Sequence, residues 1–136
     1  MAIIVYNRKN DDHSHEKNNY PIFRGASILG NPYTHLPLKG TKAIYHVRTR
    51  DEAIERYSDY FDLEYVHNQS FKEAVDEIYD KYKNGEDIYL ECYCHPLSCH
   101  GDTIKEKLER RLLKEKVAEI RRKKQMNNEK QMGEVL

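Results

Sequence analysis

The sequence predicts an α/β fold: a small, mostly parallel sheet with helices on its faces, in a single domain. Two short apolar runs, Ile3-Ile4-Val5-Tyr6 and Ile88-Tyr89-Leu90, read as strands. Between them lie two stretches with apolar residues at helical spacing, each opened by a capping pattern. Helices that separate strands imply crossover connections, and crossovers produce parallel pairing. The length, 136 residues, fits one core.

The first run, consecutive and mostly β-branched, predicts a central strand. From Asn7 to Asn19 the chain is polar, carries His13 and His15, and shows no period, so it reads as a mobile loop. Tyr20 to Phe23 suits a short strand, after which Gly25, Gly30, Pro32 and Pro37 punctuate irregular backbone. Ala43 to Val47 reads as another strand. Thr49 with Glu52 makes a capping box, and Ile54, Tyr57 and Phe61 fall on one stripe of a helix from about Arg50 to Tyr60. Ser70 with Glu73 repeats the device before Phe71, Ala74, Val75, Ile78 and Tyr82, and Asn84-Gly85 stops that second helix. Ile88 to Cys94 is the next strand, with Cys92 and Cys94 on the face of Leu90. A last helix starts around Gly101 to Thr103 and carries Ile104, Leu108, Leu112, Val117 and Ile120 on a drifting stripe. The α/β domain is expected over residues 1–120, with 121–136 a polar tail, a frayed helix or disordered.

Composition excludes several functional classes. Lys plus Arg and Asp plus Glu both number 23, so no global field draws nucleic acid or a membrane surface. The basic run Arg121 to Lys124 is more often a solvated helix end than a nucleic-acid patch. There is no apolar run of bilayer length and no secretory pattern at Met1 to Tyr6, which leads to an expected cytoplasmic location. Three cysteines crowded between positions 92 and 99 argue against an extracellular disulfide framework and for reduced thiols, a metal site or a reactive centre.

Two constellations carry the chemistry. In the first, Cys92 to Asp102 lies where a strand ends and a helix begins, the usual ligand edge of an open α/β sheet. Free N–H groups of the new helix, with Gly101 removing a side chain, suit a phosphate or carboxylate. The same partial positive charge would favour a thiolate at Cys99, beside His100. Each residue has a plain alternative: Cys92 as core, Asp102 as a helix cap, His100 as a turn residue, His95 as solvated loop. Three uses of Cys94 and Cys99 stay open, as ligand surface, metal site or packing, although C-x-C-x4-C-H lacks the paired knuckles of structural zinc sites. The second constellation is Arg24 to Pro32, in which Gly25 and Gly30 permit unusual backbone, Asn31 offers an amide, and Arg24 can grip a phosphate.

At these motifs the chain resembles a family of small bacterial and phage-encoded domains of unknown function. The pattern is an early strand with valine and asparagine, an R-x4-LGNP loop, an acidic amphipathic helix and a closing C-x-C-x-P-x-x-CHGD. Val5-Tyr6-Asn7, Arg24 with Leu29 to Pro32, Arg50 to Ile54 with Tyr57, and Cys92, Cys94, Pro96 and Cys99 to Asp102 match it, over roughly residues 1–113. Where the pattern often has glycine before the loop arginine and tryptophan between the first two cysteines, this chain has Phe23 and Tyr93. The resemblance implies a phage or mobile-element setting.

The expected function is binding of a nucleotide or nucleotide derivative, with catalysis on a phosphate-containing small molecule as its enzymatic form and no cofactor assigned. Arg24, Gly25, Gly30, Asn31, Cys94 and Gly101 would bind the ligand, and Cys99, His100 and Asp102 would lie near the reacting group. The rivals are a host-directed interaction protein and a small zinc domain using Cys92, Cys94, Cys99 and one histidine.

Overall fold

A computed structural model describes residues 1–38, 43–95 and 97–135, with side chains to residue 128. Pro96 of the closing motif lies outside the described residues. The elements run β1 (Ile3–Tyr6), β2 (Asn19–Pro21), β3 (Tyr33–Thr34), β4 (Tyr45–His46), α1 (Arg50–His67), α2 (Gln69–Lys83), β5 (Ile88–Glu91) and α3 (His100–Val135). They form two compact units, residues 1–105 and 106–136.

The first unit has the α/β architecture expected. Its main sheet has the order β1-β5-β2, with both pairings parallel, and β3 pairs with β4 in a second parallel ladder. The registers set Tyr6 and Pro21 opposite Glu91, so all three strands finish at one edge. Partners opposite one another share a face, which puts Val5, Leu90 and Tyr20 on one side and Tyr6, Tyr89, Glu91 and Asn19 on the other. Toward the first side lie the opening turn of α3, where Gly101 meets Val5 and Ile22, and α2, whose Lys81 donates to the Tyr20 hydroxyl at 2.8 Å. Ile22, Ile88, Leu90, Tyr57 and Phe71 are fully buried at the centre of the core.

The second side is covered by the 7–18 segment, which is tied down. His13 stacks on Tyr89 at 4.7 Å and meets Tyr6 edge-on, while Arg8 pairs with Glu91 at 2.9 Å. Glu91 is buried, and its Oε1 also lies 3.0 Å from the Tyr6 hydroxyl, which reaches Asn19 Oδ1 as well. Burial of a carboxylate is tolerated here because a cation and hydrogen-bond donors replace its water.

Local differences from the sequence reading have local causes. Thr49 caps α1 as expected, accepting from Glu52 N–H at 3.1 Å, but the Glu52 carboxylate returns to Arg48 N–H rather than to that of Thr49. The helix then runs on to His67, and Asn68 alone separates it from α2. Asn68, in extended conformation, gives its N–H to Glu64 and takes the Phe71 N–H on its side chain, so it displaces Ser70 as the cap. At the other end of α2, Gly85 at φ 92° lets Gly85 N–H reach the Tyr82 carbonyl and Glu86 N–H that of Lys81, the Schellman arrangement. The strand expected at Ala43–Val47 is shortened to Tyr45–His46, and β5 stops at Glu91 instead of Cys94 because no partner strand continues past Tyr6.

The second unit is the remainder of α3, which continues as helix through residues 121–135, the stretch expected as a frayed helix or disordered tail. Leu108 and Leu112 are buried, whereas Leu113, Val117 and Ile120 are exposed. Ion pairs at i, i+4, such as Glu106–Arg110 at 2.8 Å and Glu119–Lys123 at 3.4 Å, add about 0.3–0.5 kcal/mol each. Among the described residues no helix is long and apolar enough to cross a membrane.

Candidate functional site

A cavity of about 470 Å³ joins the two constellations. Arg24 and Asn31 reach it from the loop after β2, and Cys92, Cys94, Cys99 and His100 from the turn after β5. Both segments follow strands that end at the same sheet edge, which is why stretches about 70 residues apart share one wall. The first turns of α1 add Arg50, Ala53 and Ile54.

The loop is built on its own backbone contacts. Gly25 has φ 84°, in the left-handed region. A Cβ on Gly30 would sit 2.9 Å from Arg24 Cα, so this glycine lets the loop close on itself. Arg24 Nη1 donates to the carbonyls of Asn31 (3.2 Å) and Tyr33 (3.0 Å), holding the loop while its charge faces the cavity. Asn31 is buried, donates from Nδ2 to the Ala53 carbonyl and accepts Tyr33 N–H on Oδ1, so its amide clamps loop to helix. Tyr57 completes the clamp, its hydroxyl 2.6 Å from the Leu29 carbonyl oxygen. Thus Arg24 and Asn31 line the cavity, whereas Gly25 and Gly30 shape the loop and are not part of the lining.

The turn before α3 corrects the sequence reading at several positions. The helix begins at His100, and the N–H groups of Cys99, Gly101 and Asp102 at its start have partners within the turn. Asp102 Oδ2 accepts Cys99 N–H at 3.2 Å, and the Cys99 sulfur faces the Gly101 N–H, a capping box with cysteine as the cap. Asp102 is exposed and Gly101 buried, and neither lines the cavity. A Cβ at Gly101 would stand 2.9 Å from both Val5 Cγ1 and Ile22 Cδ1, so the glycine serves close packing of α3 on the sheet rather than ligand approach.

Cys99 is also buried, against Cys92. Its sulfur donates to Cys92 Sγ at 3.4 Å, and His95 N–H reaches Cys92 Sγ at 3.4 Å. The Cys99 donor first, with the backbone donors adding to it, draws the Cys92 thiol down, and Cys99, giving its hydrogen to that sulfur and buried, is pushed up. Cys94 is half-buried and lines the cavity. Among the described residues no group of three or more His, Cys, Asp or Glu side chains is placed to hold a metal ion.

His100 bonds through Nε2 to the Ile22 carbonyl oxygen at 2.7 Å, which makes Nε2 the protonated nitrogen and leaves the Nδ1 lone pair without a partner among the described residues. Burial lowers its pKa to about 4, with the positive charge of Arg24 acting in the same direction, so the ring is neutral at pH 7.

Sequence reasoning passed over Arg50, Tyr33, His35 and Tyr93, all of them in the lining. Arg50 stood in the matched stretch Arg50 to Ile54, and that was its only signal. Arg50 has no hydrogen bond or ion pair to any described residue, and among the described residues no Asp or Glu lines the cavity. Phe23 and Tyr93, the two departures from the resembled pattern, pack on each other at 4.4 Å, each filling space next to the other.

Neither the comparison with curated proteins nor that with solved structures returns a match. The model of a family described as a domain of unknown function (DUF4326) matches residues 5–110, a span that contains every residue of the cavity lining, and the chain belongs to that family.

Proposed function

We propose that the cavity binds a nucleotide or nucleotide derivative. The observation that carries the reading is its charge: Arg24 and Arg50 line it, no carboxylate does, and Arg50 is uncommitted among the described residues. A guanidinium of this kind takes a phosphate with paired hydrogen bonds. Phe23, Tyr33 and Tyr93 supply aromatic surface for a base. The volume of about 470 Å³ lies in the usual range of small-molecule sites, roughly 300–1,000 Å³. In an enzymatic form of this proposal, His100 Nδ1 accepts a proton and Cys92, rather than Cys99, is the nucleophile, while Asp102 acts only through its cap. The phage or mobile-element setting and a cytoplasmic location belong to the same proposal, supported by motif resemblance and by three free thiols.

Calorimetric titration of the full chain with mononucleotides, NAD and ADP-ribose tests the reading. One of them is expected to give saturable heat with one site per chain. No heat at millimolar ligand, with the circular dichroism of a folded chain, rejects it.

A second reading, a host-directed interaction protein, draws support from α3, where Leu113, Val117 and Ile120 are exposed at spacings of four and three. Binding to a host protein that persists in Arg50→Ala and is lost in Leu113→Ser/Ile120→Ser would favour it.

A further inference from the structure

We infer that Cys92 and Cys99 are a reversible dithiol–disulfide couple in the cavity wall, oxidised by a small peroxide and restored by a dithiol reductant. The two sulfurs are in direct contact at 3.4 Å with nothing between them. A disulfide needs about 2.05 Å, so closing the bond requires a movement of about 1.4 Å. The described residues between them, 93–95 and 97–98, lie in neither helix nor strand, so that movement breaks no helical or sheet ladder. Both residues are almost fully buried in the protein yet line the cavity, so an oxidant must enter by that route and must be small.

The contacts also give the pair a direction. Cys92 Sγ receives the Cys99 thiol and the His95 N–H, which favours the thiolate there. Cys99 retains its proton until the second step. Cys94 is more accessible, but its sulfur has no hydrogen-bond partner among the described residues, so it serves as an internal control.

In the first step the Cys92 thiolate attacks one oxygen of hydrogen peroxide. The O–O bond breaks, the departing hydroxide takes a proton to become water, and Cys92 becomes a sulfenic acid. Cys99 then attacks the Cys92 sulfur, the S–O bond breaks, and the leaving hydroxide is protonated with the hydrogen that Cys99 gives up. In total two thiols lose two electrons and two protons, and one peroxide becomes two waters. None of this depends on what the cavity binds.

The test uses the full wild-type chain, reduced and then exposed to hydrogen peroxide, alkylated with iodoacetamide and digested with chymotrypsin without reductant. Chymotrypsin cuts after Tyr93 and Leu97, which separates the three cysteines into different peptides. The expected result is a mass lower by two hydrogens before alkylation, a single bond joining the Cys92 and Cys99 peptides, and alkylated Cys94. Dithiothreitol is expected to return three alkylatable thiols. Cys94→Ser should form the same bond, and in Cys99→Ser the Cys92 sulfenic acid should be trapped by dimedone. A bond through Cys94, or Cys92 and Cys99 both alkylated under conditions that oxidise Cys94, overturns the inference, and both are read on the wild-type chain whether or not the variants fold.

Discussion

His100 Nε2 lies 2.7 Å from the carbonyl oxygen of Ile22, so the first residue of the last helix is fastened to the chain just past β2. This bond joins the two constellations across the sheet edge, and the edge-on contact of His100 with Tyr57 at 4.9 Å extends the link to α1. The ring is therefore a structural joint as well as a cavity group.

Its protonation should destabilise the fold, because the charge gained at Nδ1 is buried and repelled by Arg24, although the Nε2 bond to Ile22 keeps its donor. The folded chain holds His100 near 4, below the 6.5 of a free imidazole, so the unfolded chain binds more protons between those values. Stability is then complete above about pH 6.5 and falls as pH drops toward 4. At about 1.4 kcal/mol per pH unit the gap corresponds to roughly 3 kcal/mol. Urea denaturation at pH 7, 5.5 and 4.5 measures this, and His100→Gln, which keeps a donor for Ile22, should lose most of the pH slope attributable to this ring. An unchanged slope would show that the ring titrates normally.

The two cavity arginines should separate binding from stability. Arg50, uncommitted among the described residues, can be replaced by alanine with less than about 0.5 kcal/mol change in unfolding, while affinity for a phosphate-bearing ligand falls about tenfold or more. Arg24→Ala releases the Asn31 and Tyr33 carbonyls and should lose roughly 1–3 kcal/mol of stability in addition to affinity. Equal stability loss in the two variants, read by urea denaturation beside calorimetry, would contradict this division.

Two glycines should differ in cost for the same added methyl. At Gly30 the new Cβ meets backbone, Arg24 Cα at 2.9 Å, and the loop has to open. At Gly101 it meets the side-chain ends of Val5 and Ile22 at the same distance, and they can give way in part. Gly101→Ala is expected to cost about 1–3 kcal/mol, and Gly30→Ala more, with loss of ligand affinity as the loop shifts. The reverse order in denaturation midpoints would mean that the loop is the more adaptable element.

The cap of α2 gives a simple check on local structure. Asn68→Ala removes an acceptor from Phe71 N–H and should cost about 1 kcal/mol, whereas Ser70→Ala, at an exposed position inside the helix, should be neutral or slightly stabilising. A larger effect at Ser70 in thermal melts would restore it as the cap.

Much of the fold was legible because its signals are local. Side-chain period, Thr49 and the Asn84-Gly85 stop act within a few residues, so β1, α1, α2 and β5 could be read directly, with errors confined to their ends. The resembled motifs also marked both segments of the cavity, since they carry unusual residues at close spacing. What the sequence could not specify is which partner each group meets. Arg50 looked like an ordinary first-turn residue, Gly101 like a ligand contact, and Cys99 like the acidic thiol. Tertiary structure decided those assignments, because hydrogen bonding and burial depend on which atoms the fold brings together: Ile22 to His100 and Val5 to Gly101 from far along the chain, and Cys92 to Cys99 across one turn.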